Sequence, residues 1–132
     1  NHNAWALYRT KRGPRDLDTW PRRGSSFEGL VIEELMALAG TQFVRPEFIF
    51  WRTQAGAEVD LLIVEGRRIL PVEIKLGTAI GPREVTGLRQ CMKDLGLKRG
   101  IVVSRAPEPR RLSPSIEIVP WAEIVSGRFG LR

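Results

Sequence analysis

"AEVDLLIVEGRRILPVEIKL", residues 57–76, decides how this chain folds. Two apolar runs meet at the turn-like pair Gly66-Arg67, so the stretch reads as an antiparallel hairpin of strands 57–65 and 69–76. Glu73 and Lys75 are two residues apart and share a face, while Val72, Ile74 and Leu76 take the other. With a two-residue turn Glu65 faces Arg68, Asp60 faces Glu73 and Glu58 faces Lys75. A four-residue loop keeps that register; a three-residue loop breaks it.

Directly opposed residues have Cβ atoms about 5 Å apart, and like charges there destabilise a sheet. Two carboxylates so placed need a reason, and a divalent cation supplies one. Mg²⁺ is held by one or two carboxylates, waters and phosphate oxygens. Lys75 beside the pair can orient a water or offset charge growing on a phosphate. Asp60 on one strand and Glu-x-Lys on the next thus form a set suited to metal-assisted phosphodiester hydrolysis. The competing reading is a solvated polar face on which Glu58 pairs with Lys75. Asp60 inside the apolar run "EVDLLIV" argues against it.

Upstream, "EFIFWRTQ" (47–54) reads as a third strand, linked to the hairpin through Ala55-Gly56. "SSFEGLVIEELMALAG" reads as a helix with Ser25 and Glu28 as a capping box and Phe27, Leu30, Val31, Leu35 and Leu38 as its apolar stripe; Gly40 ends it. Downstream, "GPREVTGLRQCMKDLG" (81–96) is helical and "RGIVVS" (99–104) is a buried strand. A Pro-rich loop (106–114), the strand "SIEIV" and a helical turn "PWAEIVSG" follow. The order α-β-β-β-α-β predicts an α/β fold with a mixed central sheet flanked by helices. Residues 1–24 read as a basic, irregular arm with a short strand near Trp5–Tyr8, leaving 25–132 as one domain.

The 132 residues carry 21 Lys+Arg against 15 Asp+Glu, a net +6. Such a surplus attracts a polyanion or forms a solvated face. Arg52 and Arg83 are candidates for contact with a phosphate backbone. Cys91 is the single cysteine, so no disulfide framework exists and a reducing, cytoplasmic setting is expected. With His2 the one histidine, zinc sites of the finger or deaminase type lack ligands. Cys91 on an amphipathic helix reads as packing, as do Phe50 and Trp51, although Trp51 is also a candidate for stacking on a base. No run reaches the ~20 apolar residues of a membrane span. A start at Asn1 without a leader predicts a piece of a longer protein.

These residues resemble the PD-(D/E)XK nuclease superfamily, whose core is α-β-β-β-α-β and whose site is Asp, then Glu-x-Lys, on neighbouring strands. More closely, "GSSFEGLVIEEL…FWRTQAGAEVDLLI…PVEIK" is similar to the nuclease-like domain of unknown function that follows an AAA+ ATPase module in many prokaryotic proteins. The resemblance spans about Gly24 to Trp121. It implies a restriction-endonuclease-like fold that hydrolyses DNA, with Asp60, Glu73 and the Ile74 carbonyl holding Mg²⁺ or Mn²⁺ and Lys75 serving the attacking water. It implies a helix carboxylate as well, Glu28 with Glu34 as rival, and a second-helix polar residue, Gln90. It further implies nucleic acid as partner, an attached ATPase domain and a possible homodimer. A catalytically silent module that binds DNA or protein and regulates the ATPase is the alternative. No G-x-x-x-x-G-K-[ST] loop occurs in the chain itself.

Overall fold

The computed structural model describes residues 5–10 and 26–132. Seven strands form one mixed sheet. They are β1 (Trp5–Thr10), β2 (Glu47–Thr53), β3 (Glu58–Glu65), β4 (Arg68–Lys75), β5 (Gly100–Ser104), β6 (Arg110–Ser113) and β7 (Ile116–Pro120). Their order in space is β1-β2-β3-β4-β5-β7-β6. The strands β1 to β4 are an antiparallel meander, β5 lies parallel to β4 and to β7, and β6 closes the edge antiparallel to β7. A parallel neighbour requires a crossover. The helix α2 (Thr86–Leu95) provides it, entered through one 3₁₀ turn at Pro82–Val85. The helix α1 (Ser26–Gln42) precedes β2, and α3 (Trp121–Val125) follows β7.

The β3–β4 hairpin has the expected register: Glu65 pairs with Arg68, and the ladder continues to Leu61 opposite Val72. Gly66, at φ +60, supplies the left-handed residue that so tight a turn demands. Each face of the sheet is then covered by helix. On one side α1 lays Val31, Ile32, Leu35 and Met36 over Phe48, Phe50, Leu61 and Val72, and Ile124 of α3 joins the same cluster. On the other side Leu88, Cys91 and Met92 of α2 cover Trp51, Val59, Leu62 and Val102. Burying both faces explains why the central strands are so uniformly apolar.

Three expectations are corrected. Leu30 is 43% exposed, and Ile32, Met36 and Ala39 are buried in its place, because a broad sheet covers more of α1 than one narrow stripe. The helix runs past Gly40 to Gln42: nothing in Gly40's setting calls for a stop, and the turn comes later, where Arg45 takes φ +50. Within the expected loop 106–114 lies β6, an Arg- and Ser-rich edge strand with no apolar alternation to announce it. The expected Ser25 cap, His2 and the basic stretch Lys11–Arg23 lie outside the described residues.

The approach of α2 to β3 leaves no room for a side chain at Gly87, where a Cβ would stand 2.5 Å from the Glu58 carbonyl oxygen. Gly87→Ala is therefore expected to lower unfolding free energy by about 1–3 kcal/mol through overpacking. Gly40→Ala, in open space inside α1, is expected to raise it by roughly 0.5–1 kcal/mol. Urea unfolding of both variants checks the pair of signs, and equal effects would contradict this packing.

Candidate functional site

Asp60 owes its position to a fault in the sheet. Ile49 pairs with Leu62 but Trp51 pairs with Val59, so Asp60 and Leu61 together stand against the single residue Phe50. That is a β-bulge, a device that breaks alternation and re-aims a side chain. Val59 and Leu62, three residues apart, consequently both face α2, whereas strict alternation would have set Val59 with Leu61. The regular β3–β4 ladder reaches no further than Leu61 and Val72. Beyond it, Asp60 Oδ2 accepts the Ile74 backbone N–H at 2.8 Å. A buried side chain thus ties the two strands together where the backbone ladder ends.

Glu73 lies in the row of Val102, whose side chain belongs to the α2 side of the core. Glu73 is 7% exposed, and its carboxyl adjoins that of Asp60. Burial first, then the charge of Asp60, push Glu73 up to about 8, and Lys75 works in the opposite direction. Lys75 Nζ lies 3.2 Å from Glu73 Oε2, on the solvent side of the pair. Glu73 Oε1 is buried and has no hydrogen-bond partner among the described residues. A buried acceptor in that state is satisfied by a ligand, ion or water, or by a proton shared with the adjoining Asp60 carboxyl. The Ile74 N–H points at β3, and in an extended strand a residue's C=O points the same way, so the Ile74 carbonyl faces the same gap. Two carboxylates and one carbonyl make an all-oxygen donor set for a hard cation, with the Lys75 ammonium beside it as a hydrogen-bond donor.

Residues 23–124 match the family model described as a domain of unknown function, DUF4143. The chain belongs to the DUF4143 family. It is 32% identical over 110 residues to the uncharacterized proteins Rv2008c of Mycobacterium tuberculosis and Mb2031c of Mycobacterium bovis, covering 83% of this chain. The chain spans about a quarter of the length of those relatives (24%). No solved structure matches it.

The DUF4143 domain leaves other expected site residues elsewhere. Glu58 is not opposite Lys75: the bulge moves it to the other face, where Arg52 pairs with it at 3.7 Å. Arg52 is therefore engaged at the β2–β3 hairpin, while Arg83 is exposed on the 3₁₀ turn. Glu34 accepts the Trp121 indole N–H and serves the α1–α3 contact, which is how a carboxylate is tolerated on that side of the helix. Half-buried Glu28 follows Phe27, whose ring packs edge-on against Trp121 at 5.5 Å. Among the described residues no three His, Cys, Asp or Glu side chains converge as a metal-binding group, so neither Glu28 nor Glu34 is gathered with Asp60 and Glu73. Gln90 donates to Asp94 along α2 at 2.7 Å. Trp51 is fully buried, which removes it as a stacking platform. Cys91 is buried with its thiol pushed up to about 12, mainly by burial, and is a neutral packing residue.

Two features lacked a sequence signal. The bulge carries no glycine or other marker within "EVDLL", and Arg110, which reaches the loop after Lys75, sits in an unremarkable Pro-Arg-Arg run.

Glu73 makes stability depend on pH with a defined sign. Its folded value, about 8, exceeds its ordinary 4.5. The folded state therefore holds the proton more tightly, and the contribution is complete below about 4.5 and lost as pH rises through about 8. In metal-free buffer the unfolding free energy of the wild type is expected to fall between pH 5 and pH 9 relative to Glu73→Gln. Parallel pH profiles for the two proteins would contradict that placement.

Proposed function

We propose that this DUF4143 domain is a divalent-metal-dependent nuclease of the PD-(D/E)XK, restriction-endonuclease-like kind, hydrolysing DNA phosphodiester bonds. The observation that carries the reading is the buried, adjoining Asp60–Glu73 carboxyl pair with Lys75 alongside. The element order α1-β2-β3-β4-α2-β5 supports it too.

The donor set fits Mg²⁺ or Mn²⁺: Asp60 and Glu73 would bind through their side chains and Ile74 through its carbonyl. When bound, the ion supplies Lewis acidity against the charge accumulating on the scissile phosphate. Asp60 fixes the geometry of the gap through its bond to the Ile74 N–H. Glu73, neutral in part at neutral pH when no cation is present, ionises on binding one. Lys75 orients a water for in-line attack at phosphorus, or donates to a phosphate oxygen, from its place beside Glu73. Glu28, at the start of α1, acts through water rather than as a direct ligand in this scheme. The net +6 suits a nucleic-acid partner. A cytoplasmic setting, an attached AAA+ ATPase domain and a homodimer that cuts two strands belong to the same proposal.

One observation favours a second reading. The absence of a third converging carboxylate among the described residues is also what a catalytically silent module, binding DNA or protein to regulate an ATPase, would present.

Cleavage of labelled linear and supercoiled DNA in Mg²⁺ and in Mn²⁺ separates the two. Metal-dependent cutting is expected from the wild type, with a loss of at least about 100-fold in Asp60→Ala and Lys75→Ala, the scale of removing a positioned proton-transfer group. Glu34→Gln is expected to cut normally. No cutting, or cutting that survives both alanine changes, retires the catalytic reading.

A further inference from the structure

The edge strand β6 carries a cation that the proposed hydrolysis does not use. Arg110 pairs with Ile118, Ile118 with Val102, and Val102 with Glu73. These four residues form one row across β6, β7, β5 and β4, and directly paired residues share a face. That face is the α2 side, since Val102 and Ile118 both belong to its core. Three strand spacings separate the ends of the row, about 14 Å.

The Arg110 side chain does not extend away from the sheet edge. Its Nη2 donates to the Ile80 carbonyl at 2.6 Å, in the segment 76–81 that leads away from Lys75. Ile80 itself packs in the α2-side core. The guanidinium is thereby fixed to the loop that follows β4, the strand that carries Glu73 and Lys75. A neutral carbonyl takes one of its five N–H donors. Among the described residues no carboxylate forms an ion pair with Arg110. Glu84, which follows this segment, is turned onto the Gly81 N–H at 2.6 Å. Arg111 makes an instructive contrast. It pairs with Glu117, in the row of Ile101 on the α1 side, and donates to Pro114 within its own turn at 3.1 Å.

We propose that Arg110 binds a backbone phosphate of the nucleic acid flanking the Asp60–Glu73 pair and so sets where the strand lies across the site. This rests on the nuclease reading above. A guanidinium with a fork of donors to spare matches a phosphate's geometry. The span of the row from the Glu73 backbone to the Arg110 backbone, about 14 Å, is roughly four nucleotide rises of 3.4 Å. Arg110 is a positioning residue in this account, not one that touches the reacting atoms.

The test is binding of a fluorescein-labelled DNA duplex by the full chain, followed by anisotropy in Ca²⁺ across a NaCl series. Arg110→Gln keeps a donor for the Ile80 carbonyl and removes the charge. It is expected to melt as the wild type does, bind more weakly, and show a log K against log [NaCl] slope smaller by about 0.9. Arg110→Lys, which keeps the charge, is expected to retain the slope, as is Arg111→Ala. An unchanged slope in Arg110→Gln, or an equal loss in Arg111→Ala, overturns the assignment while leaving the nuclease reading intact. Wild-type protein that neither binds nor cuts DNA overturns both.

Discussion

A single hydrogen bond, from the Ile74 N–H to the Asp60 carboxylate, organises the centre of this molecule. Strands β3 and β4 pair regularly from their turn up to Leu61 and Val72. There the bulge opposite Phe50 throws β3 out of step, and a carboxylate takes over from the backbone ladder. Everything notable about the site follows from that substitution. A buried carboxylate now lies beside Glu73, whose strand position is fixed independently by its pairing with Val102. Two acids share a space closed off by α2 and the sheet, and Lys75 offsets their charge only in part. A fold that needed nothing but stability would fill such a space with apolar side chains.

Much of this arrangement could be read from the residues. Glu65 against Arg68 follows from the length of the turn, and the shared face of Glu73 and Lys75 follows from the period of a strand. Asp60 in "EVDLL" was conspicuous because charge is rare in so apolar a run. The error over Glu58 shows the limit of that reasoning. Alternation assumes an unbroken ladder, and an unmarked bulge between Val59 and Leu62 invalidates it for every residue upstream. The α1 carboxylates were ambiguous for a different reason. Their roles depend on what packs against the helix, and the Trp121 indole that takes up Glu34 comes from α3, 87 residues away in sequence. Likewise β6 exists only through its pairing with β7, which no local pattern could announce.

The charge distribution has a similar logic. The acidic pair is internal, with Lys75 beside it at the end of β4, and Arg110 of the sheet edge is bonded to the segment that follows Lys75. In the nuclease we propose, a cation between the carboxylates and a phosphate above them would each lower the electrostatic cost of the other. The family match covers this whole constellation, from residue 23 to residue 124.

The central claim is that the Asp60–Glu73 gap is built for a divalent ion. The most direct measurement is the titration of the Glu73 carboxyl by carbon-detected NMR, with and without Mg²⁺. The account predicts an apparent value near 8 in metal-free protein, falling by several units when Mg²⁺ is added, because the cation favours the ionised form. An ordinary carboxylate value in metal-free protein, or a raised value that Mg²⁺ leaves unmoved, would contradict it.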